Sequence, residues 1–191
     1  MADTSDEEPA RPPAPAHVEL VIAFTNSIDH ELGTDDLTTT DGLVRWLADH
    51  DLVRPRTRAS AADLRLARAL RDGLHAALVA NHDRTSDWRG LDAAAAELPL
   101  RVAGRGDRPG LEPVRAGVPG ALGRVLVAVQ DAVADDTWHR MKICAADDCR
   151  WAYFDSTKNR SRAWCEWGCG NKAKTRSYRA RRKAAAPSPA R

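Results

Sequence analysis

A 191-residue chain that is 43% apolar can bury one ordinary core with a small appendage at most. No apolar run reaches the roughly 18 to 20 residues of a membrane span, and the N-terminus MADTSDEEPARPPAPAH lacks the basic and apolar regions of a secretory leader. A soluble, cytoplasmic protein with reduced thiols and no membrane partner is therefore expected. The net charge of +2 hides an asymmetry: residues 140–191 hold 14 Lys and Arg against 4 Asp and Glu, a net of +10, whereas residues 1–139 hold 15 against 23, a net of −8. The basic end attracts polyanions and the acidic remainder repels them.

Residues 1–16 read as a solvated tail, as do residues 184–191. Residues 18–24, VELVIAF, form a short β-prone run bounded by Thr25, Asn26 and Ser27, which fits a buried strand. Asp41 is placed to cap a helix with Leu43, Trp46 and Leu47 on one face. Ser60-x-x-Asp63 resembles a capping box, and Leu64, Ala67, Leu70, Leu74, Ala77 and Leu78 follow at helical spacing to about Ala80. An alanine-rich helix is expected over 87–97, then two short strands over 100–102 and 111–115 around the turn-rich GRGDRPG. Residues 119–139 read as a long helix with Leu122, Val125, Leu126, Val129 and Val133 on its apolar stripe. The pattern predicts an α+β class: a mainly helical domain over 17–139 with a few short strands, followed by a small module over 140–183.

That module contains all four cysteines, within 26 residues, as Cys144-x4-Cys149-x15-Cys165-x3-Cys169. Tetrahedral zinc favours thiolates in two close pairs held apart by a loop, so this set predicts one structural Zn2+ with every coordination position filled. Residues 141–143 and 151–154 flank the first pair as a hairpin, and 155–162 form a polar loop. Cys165 and Cys169 sit at the start of a helix running to about residue 183, an order that describes a treble-clef-like finger. On this helix Lys172, Arg176, Arg179 and Lys183 share a stripe, which Lys174, Arg181 and Arg182 widen. Asn159, Arg160, Arg162 and Asn171 complete a candidate nucleic-acid surface, since Lys and Arg bind phosphates while Arg and Asn can reach base edges. Trp151, Trp164 and Trp167 offer stacking faces, although packing around the zinc is expected for at least two of them.

Double-stranded DNA is the expected partner. An RNA-binding module and an adaptor for an acidic protein are the alternatives. The small footprint of one finger makes a homodimer physically attractive. In the helical region, Asn26, Arg68, Arg71 and His75 are candidate ligands for an anionic small-molecule effector. No Ser/His/Asp set, phosphate loop or paired carboxylates stand out, which argues against an enzyme.

Residues 164–176, WCEWGCGNKAKTR, resemble the signature of the CGNR zinc-finger family, and CAADDCRWAYFDSTKNRSRAWC before them fits the same pattern, so the resemblance spans about 140–183. Position 172 is Lys where the motif has Arg, which keeps the charge and loses the planar fork. The second cysteine pair is spaced by three residues where four are expected. Phe24-Thr25-Asn26-Ser27, Asp41-x4-Trp46-Leu47 and Ala67-Arg68-Ala69-Leu70-Arg71 are similar to the ABATE domain of bacterial stress-induced transcription regulators. The resemblance implies a sensor-like α/β domain coupled to a treble-clef-type finger that binds DNA.

Overall fold

The computed structural model describes residues 13–172 except 84, 106 and 107, together with residue 175. In chain order it holds α1 (Ala16–Thr25), β1 (Ile28–Asp29), β2 (Thr34–Asp35), α2 (Thr40–Asp49), α3 (Ala61–His82), α4 (Arg89–Ala95), β3 (Leu100–Arg105), β4 (Arg108–Pro113), α5 (Gly117–Ala134), a 3-10 turn (Trp138–Arg140), β5 (Met141–Ile143) and β6 (Ala152–Phe154). The described strands pair as three antiparallel hairpins, β1–β2, β3–β4 and β5–β6. Helices therefore carry the core, and the class is α+β.

Helix α3 is the axis of the body. Its start is fixed locally: Ser60 Oγ accepts from the Asp63 N–H at 3.1 Å, and Asp63 Oδ2 accepts from the Ser60 N–H at 2.8 Å, the reciprocal capping box. Ala67, Leu70, Leu74, Ala77 and Leu78 are then buried, and α1, α2, α4, α5 and β5 all pack on this helix. The crossing with α4 is closest at Gly73, where an added Cβ would lie 2.6 Å from the Leu91 backbone nitrogen. Gly73→Ala is expected to cost about 1–3 kcal/mol through this overpacking. Denaturant midpoints would show it beside Gly104→Ala, whose Cβ meets nothing within 4 Å.

Several elements differ from the sequence expectation. Residues 18–24 are helical, within α1, and the buried positions Val18, Val21, Phe24 and Thr25 follow a helical rather than an alternating spacing. A short apolar run does not separate strand from buried helix by itself; packing against α5 and β6 decides it here. Helix α2 is capped by Thr39, whose Oγ1 accepts from Gly42 N at 3.0 Å, while Asp41 lies inside the first turn and favours the positive end of the dipole. The GRGDRPG segment is mostly paired: Gly104 faces Pro109 and Ala103 faces Gly110 in the β3–β4 register. Pro109 is accommodated because this two-stranded ribbon has only edge strands. Helix α4 is shorter than expected. Helix α5 stops at Ala134, where Asp136 takes a left-handed φ of 62°, and Val133 is 47% exposed rather than part of the apolar stripe.

The core does not stop where the sequence places the boundary of the helical domain. Met141, Ile143 and Ala152 of the β5–β6 hairpin belong to the same buried cluster as the helices. Asn26, just past α1, donates from Nδ2 to Ala152 O at 2.9 Å and accepts at Oδ1 from Ala152 N at 2.8 Å. Asn81 of α3 donates to the carbonyls of Trp138 and Met141. The first half of the cysteine module is thus anchored to the helical body.

Candidate metal centre

Strand β5 delivers the chain into Cys144, whose N–H donates to Trp151 O at 2.8 Å and extends the hairpin by one step. The knuckle between the strands turns at Ala146, whose carbonyl accepts from Cys149 N at 3.0 Å, and Arg150 follows with φ 53°. Ala145 N donates to Ala163 O at 2.9 Å, which joins the knuckle to the segment carrying the second pair. Gly168 supplies a φ of 79° between Cys165 and Cys169, a left-handed position that suits glycine. Residues 169–172 are helical, so Cys169 is both a sulfur donor and the first helical residue.

The four sulfurs lie within 4.8 Å of one another, with Cys149 to Cys165 at 3.7 Å and Cys165 to Cys169 at 3.6 Å. A zinc ion about 2.3 Å from each of four tetrahedral sulfurs requires separations of about 3.8 Å, so the set fits the ion. A disulfide needs about 2.05 Å, and none is present. All four side chains are buried, and Tyr153, Trp151, Trp164 and Ala146 pack around them. Burial pushes the Cys169 thiol up to about 11 and Cys149 higher, with the neighbouring sulfurs contributing in both cases. Burial also acts on Cys144, but N–H donors from Cys165 and Ala146 outweigh it and lower that thiol. Thiolates this close together are held by a shared cation. One structural zinc is the group that Cys144, Cys149, Cys165 and Cys169 bind, and four thiolates leave no open position on it.

Around the zinc site lies a polar network. Lys142 is 5% exposed and Asp155 0%, and Lys142 Nζ donates to Asp155 Oδ2 at 2.8 Å. The same ammonium donates to the carbonyls of Arg160 and Arg162, while Asp155 also accepts from Thr157 N, Thr157 Oγ1 and Arg162 N. Burial alone would raise the Asp155 carboxyl, but Lys142, Thr157 and Arg162 outweigh it and hold it below the usual carboxylate range. Tyr153 O–H donates to Arg162 O at 2.7 Å. The 155–162 loop is therefore an ordered support for the second cysteine pair. Residue types alone do not mark Lys142, Asp155 and Tyr153 as supporting residues; the one signal in the sequence is a lysine between Met141 and Ile143 in a short strand.

The candidate nucleic-acid residues separate into groups. Arg162 points inward: its guanidinium lies 5.1 Å from the Tyr153 ring centroid, donates to Trp164 O and pairs with Glu166, with 14% of its side chain exposed. These contacts give it a structural part in the finger loop. Asn159 and Asn171 are exposed, and Arg160 pairs with Asp136. Lys172 pairs with Glu31, on the β1–β2 connection, at 2.8 Å. Lys174, Arg176, Arg179, Arg182 and Lys183 lie outside the described residues. Trp151 and Trp164 pack on the sulfur cluster, whereas Trp167 is 74% exposed.

The four candidate effector residues do not converge. Asn26 is committed to Ala152, Arg68 donates to the carbonyls of Leu37 and Thr38, and Arg71 is 4% exposed in a bidentate pair with Asp35. Helical spacing placed Arg68, Arg71 and His75 near one another, but each arginine meets a different part of the loops before α2. Among the described residues, Arg71 and His75 line one cavity, which neither Asn26 nor Arg68 lines.

Among the described residues no helix is long and apolar enough to cross a membrane. A comparison with curated proteins gives no match. The model of the CGNR zinc finger family matches residues 140–182, and the ABATE model, described as a putative stress-induced transcription regulator, matches residues 18–139. With the matched helical body in front and a four-sulfur centre behind it, the chain belongs to the ABATE family and carries a CGNR zinc finger.

Proposed function

We propose that this chain is a DNA-binding transcription regulator in which one structural zinc orients a basic segment and the helical body senses an effector. One observation carries this reading. Cys169 is at once the last sulfur donor and the first helical residue, so the metal sets the direction in which the chain leaves the centre. The sequence that follows, 172–183, has seven Lys and Arg and no acid. Residues Lys172, Lys174, Arg176, Arg179, Arg182 and Lys183 would meet phosphates, with Asn159, Arg160 and Asn171 beside them. Lys172 would exchange Glu31 for a phosphate oxygen, an exchange between solvent-exposed groups that costs little.

Neutralising Lys172 and Arg176 together is expected to lower the slope of log affinity against log salt by about 2, one for each lost phosphate contact. An unchanged slope for duplex DNA would remove the segment from the interface. The exposed Trp167 favours a second reading, in which the finger grips single-stranded nucleic acid by stacking. Competition between duplex DNA and structured RNA at matched salt separates the two.

A further inference from the structure

A cavity of about 500 Å3 lies between the end of α3 and the 158–160 stretch of the finger loop, and no zinc-binding cysteine lines it. Lys158 and Arg160 reach it from the finger, His82 from the last turn of α3 and His139 from the 3-10 turn, while Ser86 and Asn159 add a hydroxyl and an amide. No carboxylate lines it among the described residues. The cavity shared by Arg71 and His75 differs: Asp72 and Asp87 stand in its wall, and Arg71 is already neutralised by Asp35.

The donors of the first cavity are largely uncommitted. Lys158 and His139 make no ion pair or hydrogen bond among the described residues. Arg160 pairs with Asp136, which is 71% exposed, and such a surface pair yields readily to a better anionic partner. His82 adds an imidazole to the wall, and its buried Nδ1 has no hydrogen-bond partner among the described residues. Lys142 forms wall only, because Asp155 and two carbonyls already occupy its ammonium. The C-terminal end of α3 opposes an anion with about half a charge, which places the anion toward the two finger cations.

We propose that this cavity binds the phosphoryl group of a small phosphorylated molecule and so braces the finger loop against α3. Cationic, imidazole, hydroxyl and amide donors from several elements suit a tetrahedral dianion, and the volume is that of a small-molecule site. The proposal deepens the effector part of the regulator reading and does not depend on its DNA part.

The test is titration of the full-length, zinc-loaded protein with inorganic phosphate, followed by calorimetry and by the NMR signals of the histidine rings. The rings of His82 and His139 are expected to shift together and saturate. Lys158 is exposed, so Lys158→Glu spares the core; it is expected to weaken binding by about tenfold or more, and Lys158→Arg to stay within about threefold of the original. Rings that do not move, or a Lys158→Glu variant with unchanged affinity, would overturn the site. Duplex DNA that shifts both rings while phosphate leaves them still would overturn the small-molecule ligand. Saturation by phosphate in a protein that binds no DNA supports the site and removes only the nucleic-acid reading.

Discussion

Cys165→Ser is expected to bring zinc from one ion per chain to nearly none and to loosen the finger while the helical body stays folded. Cys165 sits between two other donors, 3.7 Å from Cys149 and 3.6 Å from Cys169, so its loss opens the cluster on both sides. A hydroxyl is a poor replacement for a thiolate, and the free energy of binding a structural zinc, on the order of 10–16 kcal/mol in small zinc-folded peptides, is largely folding free energy. The extent of the loosening follows from the packing. Met141, Ile143 and Ala152 are buried with the helices, and Asn26 and Asn81 bond to the hairpin backbone, so β5 and β6 have support that does not pass through the metal. The knuckle over 144–151 and the segment over 163–172 do depend on it. Hydrogen exchange should therefore lose protection in those two stretches and retain it across α3. Metal analysis that still finds one zinc per chain would refute the assignment of this ligand.

How far the sequence discloses this molecule depends on whether the interaction that fixes an element is local. Ser60 and Asp63 satisfy each other within one turn, so the start of α3 is readable from the spacing of two residues. The cysteine spacing is equally direct, because coordination geometry restricts which thiols can share one ion. Residues 18–24 are different: their β-prone composition is overridden by burial against α5 and β6, which lie far away in the chain. The position of Asn26 shows the same limit. A polar side chain at the end of an apolar run looks available for a ligand, yet Ala152, 126 residues later, takes both of its hydrogen-bonding ends. Arg162 looks like one more cation in a basic segment until Tyr153, Trp164 and Glu166 gather around it. In each case the deciding partner is nonlocal.

Asp155→Ala is expected to destabilise the protein by about 3–5 kcal/mol, because it leaves the ammonium of Lys142 buried without its countercharge. The carboxylate also receives Thr157 and Arg162, so the 155–162 loop should lose its shape together with its stability. Removing both charges in Lys142→Met with Asp155→Leu should recover only part of the loss, since the carbonyls of Arg160 and Arg162 then lack a donor. The pH dependence has a definite sign. The folded carboxyl of Asp155 lies below its unfolded value of about 3.9, so its contribution is fully present above that pH and is lost as pH falls through the folded value. Asp35, which Arg71 and the Leu37 N–H hold low against burial, contributes in the same direction. Acid titration of unfolding free energy should therefore show a shallower fall below about pH 4 in Asp155→Asn than in the original chain, compared at equal zinc occupancy. Superimposable acid limbs would mean that the Lys142–Asp155 pair does not couple protonation to folding.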